Sequence, residues 1–193
     1  IDGSYSLKLS EKFSMAIAGR FINSNLKVAS GNNDASSASS FAVDVAGFYQ
    51  AEEIAYNEFN GRWRAGFNIQ NLGPKLSYDN TQFSSNFLPA NMKLGGGFDF
   101  ILDDYNKIAV SVELTKLLVP TPPGPGTPVD LNGDGDYTDD GEITQEQANT
   151  ISYNKYNDIN WVSGIFKSFG DAPDGFSEEL KEVTYSAGAE YLY

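Results

Sequence analysis

In seven stretches of this chain the apolar residues recur at every second position rather than every third or fourth. That is the period of a β-strand with one apolar face, and it sets the fold class before any motif is considered. In FSMAIAGRF one face carries Phe13, Met15, Ile17, Gly19 and Phe21, and the other Ser14, Ala16, Ala18 and Arg20. FAVDVAGFYQ, GRWRAGFNIQ, NMKLGGGFDFIL and KIAVSVELT alternate in the same way, as do the flanking SYSLKLS and EVTYSAGAEYLY. The expected fold is therefore all-β and antiparallel.

Several of these stretches approach the ~9 to 11 residues that a tilted strand needs to cross a bilayer. Their connections also alternate. LSEKF and LDDYNK are tight and IAYNEFNG is modest, whereas residues 23 to 40, 71 to 90 and 118 to 182 form long polar links. Short turns on one side and long loops on the other describe an outer-membrane barrel with periplasmic turns and external loops. Only a closed barrel pairs every backbone group inside a bilayer. On this reading residues 29 to 39, 73 to 90 and 120 to 160 lie outside the cell. Arg20, Asp44, Arg62, Arg64, Lys93, Asp99 and Glu113 then line a lumen of mixed charge. The alternative is a soluble antiparallel sandwich, against which stand the aromatics near the strand ends (Phe13, Phe21, Tyr49, Trp63, Phe100) and the small, polar character of the other face.

Composition removes several functions. A formal charge of −13 opposes binding to nucleic acid through its phosphates. The chain has no Cys for a disulfide or a thiol and no His for general-base or transition-metal chemistry. No stretch reaches the ~18 apolar residues of a membrane helix. Length fits a single domain, residues 1 to 193, of which 118 to 182 form one long loop region. The opening IDGSYSLKLS has no signal-peptide pattern, so either a signal peptide has been removed or the chain begins inside a longer protein.

DLNGDGDYTDDGE, residues 130 to 142, holds six carboxylates and no base. It begins like an EF-hand loop, but Gly141 occupies the place of the bidentate Glu and a proline-rich run replaces the entering helix. Asp130, Asn132, Asp134, Asp136 and Glu142 are a candidate Ca²⁺ set in an external loop, against the reading of a solvated acidic turn. No other cofactor is expected. Nor is catalysis: LGGGFDF lacks the GK[ST] of a phosphate loop, Asp103 and Asp104 sit in a turn, and the acids of GFSEELKE suit the first turn of a short helix capped by Ser177. Two further segments suit partner binding, with folding inward as a barrel cap the equal alternative for the second. One offers Leu76, Tyr78, Phe83 and Phe87, and the other Trp161, Phe166, Phe169 and Phe176.

The segments IDGSYSLKLSEKFSMAIAGRF, VDVAGFYQAEEIAYNEFNGRWRAGFNIQNLGPKLSYD, FLPANMKLGGGFDFILDDYNKIAV, TKLLVPTPPGP, DLNGDGDYTDDGE and SGIFKSFGDAPDGFSEELKE together resemble the PorV (LptO) family, barrels of the FadL-like group in the type IX secretion system of Bacteroidetes. The resemblance implies a fourteen-stranded antiparallel transmembrane β-barrel in the outer membrane, of which seven strands would be half. It implies a shuttle without catalysis. Such a protein receives cargo by its C-terminal signal domain from the SprA (Sov) translocon and delivers it to the PorU-containing attachment complex at the surface. FadL-like barrels otherwise conduct hydrophobic compounds, which leaves a transporter as the alternative, with a soluble Ca²⁺-binding surface domain as a third.

Overall fold

A computed structural model describes residues 1–25, 37–78 and 85–193. Each of the seven alternating stretches forms one long strand: β1 (Asp2–Lys8), β2 (Phe13–Ser24), β3 (Ala38–Gln50), β5 (Asn60–Leu72), β8 (Asn91–Ile101), β9 (Lys107–Leu117) and β10 (Val183–Leu192). Short strands β4 (Ile54–Ala55), β6 (Leu76–Ser77) and β7 (Ser85–Asn86) complete the β structure among the described residues. The long strands form one antiparallel sheet in the order β1-β2-β3-β5-β8-β9-β10; β4 pairs with β5, and β6 with β7. Neighbours in sequence are thus neighbours in space. β1 and β10 are the sheet's edges, so it does not close on itself.

Register keeps the two faces separate across the whole sheet. Ile17 stands opposite Val45, Val45 opposite Ile69, Ile69 opposite Met92, and Leu94 opposite Leu114. Burial runs opposite to that of a water-soluble sheet. On β3 the apolar side chains Phe41 (66 %) and Val43 (41 %) are exposed, while Ser40 (3 %) and Asp44 (9 %) are buried. Val112 at 60 % and Asp99 at 1 % repeat the inversion on β9 and β8. The apolar face is the outer one and the polar face the inner one.

The strands run longer than the alternation alone marks. β3 begins at Ala38 and β2 continues to Ser24, so the link between them is shorter than residues 23 to 40. At one point the ladder slips: Val43 pairs with Leu72 but Val45 pairs with Ile69, which inserts an extra residue on β5. Asn71 takes the left-handed conformation there, with φ of 59°. A bulge of this kind bends a strand and ends its regular pairing, and Asn tolerates that conformation better than most residues. Glycine meets a packing need on the outer face, where the Phe67 ring covers Gly47 and leaves no room for a Cβ.

Between β9 and β10 lie α1 (Gln145–Asn157), α2 (Trp161–Lys167), the short α3 (Phe176–Glu179) and a 3₁₀ turn at Leu180–Glu182. α1 starts at a capping box: the Thr144 hydroxyl accepts from the Gln147 amide, and the Gln147 side chain accepts from the Thr144 amide. The strand alternation gives no hint of this helix. The expectation that Ser177 caps the last helix is corrected: the cap is Gly175, with φ of 75° and no side-chain cap bond. A left-handed turn there suits Gly and displaces Ser177 into the helix itself.

Candidate functional site

The inner face gathers every residue that the alternation assigns to the polar side. Arg20 reaches Asp44 at 3.2 Å, Arg64 reaches Asp99 at 2.7 Å, Lys93 reaches Glu113 at 3.2 Å, and Arg62 pairs with Glu53. Lys107, which lies outside that reading, is the second cation on Asp99 at 3.2 Å. Asp99 therefore sits almost wholly buried between two cations, through ionic contact more than alignment, since its Oδ1 has no hydrogen-bond partner.

One node ties this face to the chain on either side of β6 and β7. Asn71 accepts from Arg20 Nη1 at 2.6 Å, donates its amide N–H to Asp44 Oδ1 at 2.7 Å, and donates its side-chain amide to the Pro89 carbonyl at 3.1 Å. The bulge residue thus ties the chain at Pro89 to the inner face. Ser40 adds a hydroxyl bond to the Pro74 carbonyl at 2.9 Å.

The two aromatic segments proposed for partner binding meet one another. The Phe87 ring packs against Tyr156 of α1 with centroids 5.5 Å apart, and the Lys75 ammonium lies over the Phe87 ring, 4.1 Å from its centroid. Lys75 also donates to the Asn157 carbonyl at 2.7 Å, and burial depresses its pKa. Gly164 of α2 lies against Phe87 and Pro120 where a Cβ would not fit. The Tyr156 hydroxyl, whose pKa burial raises, donates to the Pro120 carbonyl at 3.2 Å. Both loops thus form one cap. Within it Leu76, Tyr78, Phe87 and Trp161 are half-buried, whereas Phe166, Phe169 and Phe176 are exposed. Tyr78 donates to the Ser24 hydroxyl at 2.8 Å, and Phe83 lies outside the described residues.

The acidic loop closes into a small ring, its ends joined by the bridge between Val129 and Ile143. Asp130 accepts the amides of Gly133 at 2.6 Å and Gly135 at 3.0 Å, both glycines having positive φ. Asn132 Oδ1 accepts from Asp134, Asp134 from Asp136, and Asp136 from Thr138; that last bond holds the Asp136 carboxyl below the usual range. Glu142, buried, accepts from the Leu131 amide at 3.0 Å. The carboxylates are turned to backbone amides. Among the described residues no group of three or more acidic side chains is gathered to hold a metal ion.

The profile of the family described as type IX secretion system protein PorV matches residues 1–124 of the 193. The chain belongs to the PorV family. It is a component of the type IX secretion system, and the family is not one of known enzymes. No curated protein matches the chain. The PorV match spans the strands from β1 to β9 and the first residues of the following segment, and the acidic loop, the three helices and β10 lie beyond it.

One strand within the PorV match clamps the segment beyond it. Lys116 of β9 is buried, and its ammonium lies 2.9 Å from both Glu179 and Glu182. Glu179 also accepts the Ala172 amide at 2.9 Å, and the Lys116 ammonium holds its carboxyl below the usual range. Thr121 bonds Asp171 through its amide at 2.9 Å and its hydroxyl at 3.2 Å. The sequence reading passed over Lys116, because it falls at an apolar-phase position near a strand end.

Proposed function

We propose that the sheet is part of the wall of an outer-membrane β-barrel of a Bacteroidetes cell, and that the protein acts as a shuttle. In this reading it takes cargo by the C-terminal signal domain from the SprA (Sov) translocon and passes it to the PorU-containing attachment complex. The observation that carries the membrane part is the inverted burial: Phe41, Val43 and Val112 exposed on one face, Ser40, Asp44 and Asp99 buried on the other. Lipid stabilises such a face and water does not. Family membership supports the secretion role. The partner surface is the loop cap, with Leu76, Tyr78, Phe87 and Trp161 setting its packing and Phe166 and Phe169 exposed at its edge. Phe83 was assigned to the same surface from sequence. Phe176 stands apart, on the segment tethered to Lys116.

Pull-down of the intact protein from detergent-solubilised envelopes is the test. Recovery of SprA and of secreted cargo is expected, with loss of both when Phe166 and Phe169 are replaced by Ser. Recovery of neither from wild-type protein contradicts the shuttle.

A second reading, passage of hydrophobic compounds along the lumen, draws on a depression of about 500 Å³ on the inner face, lined among others by Phe48, Gly66, Asn68, Lys93 and Gly95. Uptake of a fatty acid by cells expressing the intact protein, lost on Gly95→Trp, would favour it. We also propose that Asp130, Asn132, Asp134, Asp136 and Glu142 take up one Ca²⁺ outside the cell, with the tight turns at Gly133 and Gly135 and the inward Glu142 as support. Protease protection of the loop that is the same in calcium and in chelator contradicts this.

A further inference from the structure

A segment folded in water turns its charges outward and its rings inward. Within residues 175 to 182 a buried carboxylate and exposed apolar side chains depart from that pattern. The Glu179 side chain is 7 % exposed, yet Phe176 is 77 % and Leu180 45 % exposed. Glu179 and Glu182 are drawn in toward Lys116, itself 9 % exposed at the side chain, which leaves Phe176, Leu180 and the Lys181 ammonium on the surface of the segment.

The side of the sheet on which this happens follows from register. Lys116 stands opposite Met92 on one neighbour and Val183 on the other, in phase with Leu114, Val112 and Val110 of its own strand. Its ammonium therefore leaves from the outer, apolar face. A second contact agrees: Tyr185, opposite Leu114 on that face, donates its hydroxyl to the Leu180 carbonyl at 3.4 Å. Two outer-face side chains thus hold the segment on the outside of the sheet, at the loop end of β9 and β10. The cap built on Phe87 and Pro120 lies instead over the inner face, through the bonds of Ser40 and Asn71 to Pro74 and Pro89.

We propose that Phe176 and Leu180 enter the headgroup–acyl boundary of the outer leaflet, as an anchor that continues the lipid-facing surface past the strand ends. The occupant is lipid because exposed apolar side chains on the outer face, Val112 (60 %), Leu114 (42 %) and Tyr185 (62 %), adjoin the segment where Tyr185 bonds Leu180, with Phe176 one helical turn before it. Aromatic side chains favour that boundary, where apolar area is buried while nearby polar groups stay hydrated. Pairing Lys116 with Glu179 and Glu182 keeps their charges away from the acyl chains. The proposal rests on the barrel reading above, and it separates Phe176 from the partner surface of Phe166 and Phe169.

The chain contains no cysteine, so single introduced thiols are unique within it. A polarity-sensitive fluorophore would be placed in turn at Phe176→Cys, Val112→Cys and Tyr137→Cys of the intact protein, with any cysteine elsewhere replaced by Ser, in lipid nanodiscs. Lipids spin-labelled near the headgroup or near the chain end then serve as quenchers. Phe176→Cys is expected to lose fluorescence to the headgroup-proximal label, Val112→Cys to the chain-end label, and Tyr137→Cys to neither. Quenching at Val112→Cys with none at Phe176→Cys overturns the anchor and keeps the barrel, and a blue shift at Phe176→Cys only after SprA is added reassigns the ring to a protein contact. Equal quenching at Tyr137→Cys and Phe176→Cys also overturns it. No quenching at Val112→Cys overturns the barrel reading itself.

Discussion

The sheet and the segment between β9 and β10 are stabilised by opposite means. In the sheet each long strand is fixed by a continuous ladder, with ten paired positions between β9 and β10 alone. The segment is fixed by separate polar contacts: Tyr156 to Pro120, Thr121 to Asp171, Lys116 to Glu179 and Glu182. A ladder tolerates the loss of one apolar side chain, since its bonds are between backbones, but not the loss of a buried counter-charge. A set of single contacts tolerates neither. The wall should therefore fail only when the polarity of a face is changed or a buried counter-charge is lost, whereas the segment should come loose one contact at a time.

The largest effect should come from the wall. Asp99→Ala leaves Arg64 and Lys107 side by side with no counter-charge, a loss of the kind that costs about 3 to 5 kcal/mol. Urea unfolding of the refolded intact protein measures it; an unchanged midpoint would show that water reaches this face and screens both cations. Next is Val45→Arg, which places a charge on the outer face and should cost about 2 to 4 kcal/mol at mid-membrane, while Asn68→Arg on the inner face should stay within about 1 kcal/mol. Equal damage in an assembly assay would mean that the two faces do not differ as described.

The segment should respond more locally. Thr144→Ala removes the hydroxyl that caps α1 and should weaken that helix by about 1 kcal/mol. Faster amide exchange over residues 145 to 157, with β8 and β9 unchanged, is the expected pattern. Exchange rising in the strands as well would erase the distinction between the two regions. The smallest effect is acid release of the 171–182 stretch. Because the Lys116 ammonium depresses the pKa of Glu179, its contribution is complete above the unfolded value of about 4.3 and is lost as pH falls through the lower folded value. Protease cleavage within 171–182 should rise as pH falls below about 4.3, and Glu179→Gln should remove the dependence.

The same contrast explains what the sequence discloses. Alternation in FAVDVAGFYQ or KIAVSVELT reports a face, and a face is a property of every second residue, so strand order and phase are legible from composition along the chain. The slip at Asn71 is not legible, because it depends on where Asp44 and Arg20 stand across two neighbouring strands. Lys116 was missed for a related reason. Its partners are more than sixty residues away, and at an apolar-phase position a single Lys reads as a strand end. The signal for α1 was present in Thr144 and Gln147, three residues apart, but not in any apolar period. Of the aromatic sets, the sequence named the residues without showing that Phe87 would be packed under Tyr156 while Phe166 stayed exposed.

The most direct test of the account is which ends of the strands lie outside the cell. Single cysteines at Tyr137 in the acidic loop and at Asn106 in the β8–β9 turn would be treated with a membrane-impermeant maleimide in whole cells expressing the intact protein. The account predicts labelling at Tyr137→Cys in whole cells and at Asn106→Cys only after lysis. Labelling of Asn106→Cys in whole cells, with Tyr137→Cys protected, would contradict the placement of the loop cap at the cell surface.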